Sequence, residues 1–95
     1  MGLFEEVANY LDITWEMDVG ENAKLSGIIE RGKTYLIGKI GRCDFEGDTP
    51  EKDLLMNYCM YVRAGRLSDF YGHYKKQITG LQISRWREER AKDKG

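Results

Sequence analysis

The sequence predicts an all-α domain, a small bundle of about four helices that ends in a charged C-terminal arm. Its 95 residues are enough for one domain, and 41% hydrophobic with 33% charged residues is typical of a globular fold with a polar surface. Apolar residues recur mainly at spacings of three, four and seven, which is the period of amphipathic helices. We therefore expect residues 1–82 to form one helical domain and residues 83–95 to form the arm.

The first two helices are separated by an acidic stretch. Apolar residues at helical spacing predict a first helix over residues 3–11. The acidic loop that follows closes at Gly20, and a second apolar stripe predicts a longer helix from about residue 21 to Ile40. Gly41 stands where a helix commonly ends in a left-handed C-terminal cap, so we expect the second helix to stop there.

The third helix has the clearest start. Thr49 is a good N-cap, and Pro50 occupies the first helical position, where its missing N–H is not needed. Glu51 and Asp53 then lie near the positive end of the helix dipole. The apolar stripe continues to Val62, which predicts a helix over about residues 50–62.

The fourth helix restarts at Leu67 or Ser68, and its stripe continues to Leu81 before it fades into a run of charges. We expect the four stripes to share one core. Its predicted members are Leu25, Ile29, Leu36, Leu55, Val62, Phe70 and Ile78.

The residues give little support for catalysis or metal binding. The spacing of Cys43 and Cys59 matches no metal or redox motif, and His73 is the only imidazole in the chain. Nucleophilic catalysis needs a base and an orienting group beside the nucleophile, and no carboxylate is flanked by the apolar surroundings that raise a pKa. We therefore predict two reduced thiols, an edge-packed or solvated histidine, no cofactor, no metal and no enzymatic activity.

The charge is distributed unevenly although the net charge is −1. Residues 1–23 contain six acids and no Lys or Arg, whereas residues 63–95 contain nine Lys or Arg and four acids. Such asymmetry suits self-association or docking on a charged partner, and it is also compatible with solvated helix faces.

The middle of the third helix is apolar on every side. Residues 58–62 form an unbroken apolar run, and a helix that is apolar all round is buried all round. In a chain of this length, we expect the additional burial to come from another subunit.

Four segments together resemble a known family. They are Leu3–Trp15, Ile28–Leu36, Asp53–Gly65 and Phe70–Tyr74, and the third contains the run Leu54-Leu55-Met56-Asn57-Tyr58-Cys59-Met60-Tyr61. Their order and the leucine-leucine-x-asparagine-tyrosine-x-x-tyrosine pattern resemble the small helical head–tail connector (adaptor) proteins of tailed bacteriophages and prophages. The resemblance covers about residues 3–83 and consists of helix-face patterns rather than catalytic signatures.

The resemblance implies a structural role in virion assembly. Members of that family form a homo-oligomeric ring of about twelve copies, a closed arrangement that head-to-tail contacts can generate. The ring lies in the phage neck and joins the portal protein to a stopper or tail-completion protein. Packaged double-stranded DNA passes through its channel without sequence-specific binding. The implied location is the head–tail junction of the virion, and the host cytoplasm before assembly, with no membrane contact.

The arm supplies most of the candidate contact residues. Ile83 and Trp86 are the expected anchors on the portal, because Trp is enriched at interaction hot spots. Arg85, Arg87 and Arg90 are expected to meet an acidic surface. Two further candidates for protein contacts are Trp15 and Tyr61. Because the arm has few apolar residues to offset the entropy of ordering, we expect it to be mobile in the free subunit.

A second hypothesis is a small helical DNA-binding regulatory protein. The last 21 residues contain seven cations, with Tyr74 and Trp86 as possible stacking partners: Lys75, Lys76, Arg85, Arg87, Arg90, Lys92 and Lys94. Against this hypothesis, the isoelectric point of about 5.8 is low for a DNA-binding domain, and three acids dilute the cluster. Tight, salt-sensitive duplex binding would distinguish it from the connector hypothesis.

Overall fold

The computed structural model describes the backbone of residues 2–94 and the side chains of residues 2–88. Over this range the chain forms four α-helices: α1 (Leu3–Tyr10), α2 (Val19–Ile40), α3 (Pro50–Arg63) and α4 (Leu67–Lys94). The prediction of an all-α fold with about four helices is confirmed. None of these described helices combines the length and the apolarity needed to cross a membrane.

Side-chain and glycine caps set the ends of α2 and α3. Asp18 Oδ1 accepts a hydrogen bond from the Glu21 N–H at 2.8 Å, so α2 begins at residue 19 rather than near residue 21. Thr49 Oγ1 accepts from the Lys52 N–H at 3.2 Å, which confirms the predicted cap of α3. At the end of α2, Gly41 has a φ of 96°, a conformation that favours glycine.

Helix α4 continues past the point where its apolar stripe fades. It extends to Lys94, so no helix boundary separates residues 83–94 from the preceding part of α4. Two polar side chains attach this part of α4 to the bundle. Gln82 Nε2 donates to the Lys39 carbonyl oxygen at 2.7 Å, and Arg85 pairs with Glu51 on α3. A hydrophobic pattern does not register such contacts, which is why the sequence suggested an earlier end.

The core lies where α2, α3 and α4 meet. Six of the seven predicted core residues are buried, and Val62 is half-buried against them. Phe70 is fully buried at the centre, with the Tyr74 ring 4.9 Å and the Tyr58 ring 5.6 Å away between centroids. Helix α1 contributes Leu3 and Val7 to the same core.

One glycine allows α2 and α3 to approach closely. A β-carbon added at Gly32 would lie 2.7 Å from Leu55 Cδ1 and 2.8 Å from Tyr58 Cδ1, closer than real atoms come. Both neighbours are buried and cannot easily move. At Gly38, on the same helix, an added β-carbon would meet no atom within 4 Å.

We predict opposite effects of alanine at these two glycines. Gly32→Ala should lower the free energy of unfolding by about 1–3 kcal/mol, because the added methyl group overpacks the core. Gly38→Ala should raise it by about 0.5–1 kcal/mol, because alanine has the higher helix propensity. Urea denaturation followed by circular dichroism measures both. Equal changes at the two sites would contradict the close packing of α2 on α3.

Candidate interaction surface

An exposed apolar pair lies on α4 beyond the core. Ile83 is 45% exposed and Trp86 is 57% exposed, and their spacing of three residues places them on one helix face. Arg87 is exposed beside them, so a basic group adjoins the apolar surface. Arg90 belongs to α4, but its side chain lies outside the described residues. The structure thus brings three of the predicted contact residues together at the surface.

Arg85 points inward, unlike its neighbours. Its Nη2 atom lies 2.5 Å from Glu51 Oε2, and the two side chains are 25% and 3% exposed. The same carboxylate oxygen accepts a hydrogen bond from the Asp44 N–H at 2.9 Å, and Glu88 lies 3.5 Å from Arg85 Nη1. We call the contact between Arg85 and Glu51 the polar latch. Its arginine was predicted to meet a partner protein, and the structure gives it a partner within the chain.

The loop before α3 is arranged around Asp44. The Asp44 carboxylate accepts hydrogen bonds from the N–H groups of Gly47 at 3.1 Å and Glu46 at 2.9 Å. These hydrogen bonds lower the pKa of Asp44 from its usual value. Thr49 Oγ1 also donates to the Asp44 carbonyl oxygen at 2.5 Å. These hydrogen bonds hold the loop in the conformation in which the Asp44 N–H donates to Glu51 of the polar latch.

Trp15 and Tyr61 lie on other elements of the fold than the α4 pair. Trp15 is 52% exposed in the loop between α1 and α2, where its Nε1–H donates to Glu21 Oε2 at 2.9 Å. Tyr61 is half-buried on α3, and its hydroxyl hydrogen-bonds His73 Nδ1 at 3.0 Å. His73 is thus an exposed, edge-packed histidine, as predicted. Beside Tyr61, Met60 is 39% exposed on a shallow apolar cavity of about 320 Å³.

The groove between α1, α3 and α4 has a volume of about 460 Å³. Polar groups that line this groove form hydrogen bonds with one another. The Tyr10 hydroxyl donates to Asn57 Oδ1 at 3.1 Å, and Asn57 Nδ2 donates to the Asp53 carbonyl oxygen at 2.9 Å. This arrangement attaches the end of α1 to α3 and indicates a structural role.

Both thiols are free in the structure. Cys59 is buried, and burial raises its pKa to about 12. Cys43 is half-buried with its Sγ atom 3.4 Å from the Gly41 carbonyl oxygen, and burial is also the main cause of its raised pKa. Among the described residues, no group of three or more Cys, His, Asp or Glu side chains could hold a metal ion.

The burial of Glu51 has no signature in the sequence. In the sequence, this residue looks like an acid placed near a helix dipole, and its partner Arg85 is 34 residues away. No local pattern connects the two. The two residues meet only because α4 packs against α3 in the folded structure.

No family model matches the chain, and no curated protein or solved structure matches it either. The fold and this surface define a small all-α protein with an exposed apolar and basic face on its last helix.

The polar latch should contribute measurably to stability. Glu51→Gln should lower the free energy of unfolding by about 2 kcal/mol or more, because it leaves the partly buried Arg85 charge with only the exposed and more distant Glu88 as a counter-ion. Glu30→Gln is the matched control, since the Glu30–Lys33 pair is exposed and such pairs contribute less than about 0.5 kcal/mol. Chemical denaturation measures both variants. Similar losses would show that the latch does not stabilise the attachment of α4.

The two thiols should differ in reactivity. In native buffer at pH 8, iodoacetamide should modify Cys43 well before Cys59, because Cys59 is buried and its raised pKa keeps the thiolate scarce. Mass spectrometry of the digested protein distinguishes the sites, and both should react alike in denaturant. Equal labelling of the native protein would contradict the burial of Cys59.

Proposed function

We propose that this protein is a structural head–tail connector of a tailed bacteriophage or prophage. In this role, copies of the chain form a ring between the portal protein and a stopper or tail-completion protein. The observation that carries the proposal is the Ile83–Trp86 pair, which is exposed on α4 beyond the core. The four-helix fold and the family resemblance of residues 3–83 support it.

The polar latch makes this pair suitable for docking. Arg85 lies between Ile83 and Trp86 in sequence and holds the same helical turn against Glu51. A surface fixed before binding loses less conformational entropy when the partner arrives. The exposed pair is thus preorganised, and the portal would offer an apolar pocket for Trp86 with acidic groups facing Arg87.

A different face would serve contacts between copies. Met60 is exposed on α3 in the middle of the apolar run, and Tyr61 beside it is half-buried. If a neighbouring subunit covered this face, the apolar run of residues 58–62 would be buried on all sides, as expected for a helix that is apolar all round. Trp15, which is exposed in the loop between α1 and α2, is a further candidate for such contacts.

The latch bears on the DNA-binding alternative. Arg85 is paired with Glu51 and Glu88, so it has less charge to offer a phosphate. Lys75, Lys76 and Arg87 remain exposed on α4. These three cations could still contact DNA, so the experiment below also measures duplex binding. In the connector role, packaged duplex would pass through the ring without specific contacts.

The proposal predicts a loss of portal binding on truncation of the apolar pair. Trp86→Ala should weaken the complex with the portal protein of the same genome by about thirtyfold or more, as expected for a buried tryptophan anchor, and Ile83→Ala should weaken it less. Ile37→Ala is the control, because Ile37 is 48% exposed on α2. Native mass spectrometry of the protein, alone and mixed with portal, measures the complexes.

Point variants are preferable to a deletion after Leu81, because the deletion would also remove Arg85 and open the polar latch. Sub-micromolar duplex binding at physiological salt, with no ring or portal complex, would refute the connector proposal. The DNA-binding alternative would then be favoured.

A further inference from the structure

A further cleft combines positive charge with an apolar floor. It lies where the start of α2 meets the end of α3 and has a volume of about 390 Å³. Lys24, Arg31 and Arg63 line it together with a single carboxylate, Glu21, which leaves a net charge of +2 in a protein whose total is −1. We call it the basic cleft.

The three cations stay without an ionic partner in the part of the chain whose side chains the structure describes. Among the described side chains, no carboxylate forms an ion pair with Lys24, Arg31 or Arg63. Glu21 keeps its negative charge while its Oε2 atom accepts the Trp15 Nε1–H at 2.9 Å, and this one carboxylate offsets only one of the three cations. The positive charge of the cleft is thus available to a ligand.

The floor of the cleft is aliphatic. Leu25 and Ile28 are buried members of the core, and Val62 is half-buried beside them. Ligand pockets typically combine such an apolar lining with a few polar groups that fix the ligand. A matching ligand therefore carries an apolar side chain for the floor and carboxylates for the surrounding cations.

We propose that the basic cleft binds an acidic peptide segment of another protein, one that carries an apolar side chain between carboxylates. Charge complementarity favours an anionic partner, and charged groups around an apolar centre give specificity and speed of association. Duplex DNA fits less well, because its backbone presents phosphates and sugars and nothing that would cover the aliphatic floor. The proposal does not depend on the connector function.

The test uses three capped peptides and the full-length protein. The matching peptide is Glu-Glu-Leu-Phe-Glu-Glu, and the controls are Glu-Glu-Ser-Ser-Glu-Glu and Lys-Lys-Leu-Phe-Lys-Lys. Titrations followed by ¹H–¹⁵N NMR should show binding of the matching peptide, with shifts at the cleft residues. The serine and lysine peptides should each bind about tenfold more weakly, because one lacks the apolar contact and the other the charge.

Charge-reversal variants locate the site. Lys24→Glu and Arg63→Glu should each weaken binding about tenfold, whereas Lys76→Glu, an equal charge change at an exposed position on α4, should weaken it less than about threefold. Circular dichroism checks that each variant is folded. If Arg63→Glu is unfolded, Lys24→Glu at its exposed position still decides the result.

Four results would overturn the proposal. The first is no binding of the matching peptide at millimolar concentration, and the second is an equal loss in Lys76→Glu. The third is displacement of the peptide by a short DNA duplex at lower concentration, which would assign the cleft to nucleic acid. The fourth is self-association that Arg63→Glu abolishes, which would assign it to a second copy of the chain.

Discussion

The contact between Phe70 and its surrounding tyrosine rings holds the three longer helices together. Phe70 is fully buried, and it contacts rings from α2, α3 and its own helix. The contacting rings belong to Tyr35, Tyr58, Tyr61, Tyr71 and Tyr74. Four of these five contacts are T-shaped, an arrangement that aromatic quadrupoles prefer, and the fifth, with Tyr74, is tilted. The same packing requires glycine at position 32, because the Tyr58 ring lies too close to the place that a β-carbon would take.

Beyond the aromatic core, the polar latch holds α4 against α3. At Arg85 the helix has few apolar residues left, and the ion pair with Glu51 takes over the attachment of α4. A buried carboxylate is costly unless it is paired and hydrogen-bonded, and Glu51 receives both Arg85 and the Asp44 N–H. The apolar side chains that flank Arg85 can then face outward on a helix that is already fixed.

The two proposed binding surfaces share a chemistry but lie on different elements. Each places cations beside apolar side chains, with Arg87 next to Trp86 on α4 and Arg63 next to Val62 on α3. Each would therefore select an acidic partner with an apolar contact residue. A chain with a net charge of −1 can do this because its positive charges are clustered locally.

The sequence by itself determined the all-α class, the cap at Thr49, the start of α3 and six of the seven core positions, because helical periodicity and capping are local properties. The tertiary structure alone decided how far α4 continues and what Arg85 does. Its ion pair with Glu51 joins residues that are 34 positions apart, and the basic cleft similarly assembles from separate helices. Such contacts depend on how the helices cross, and no pattern within one helix encodes that crossing.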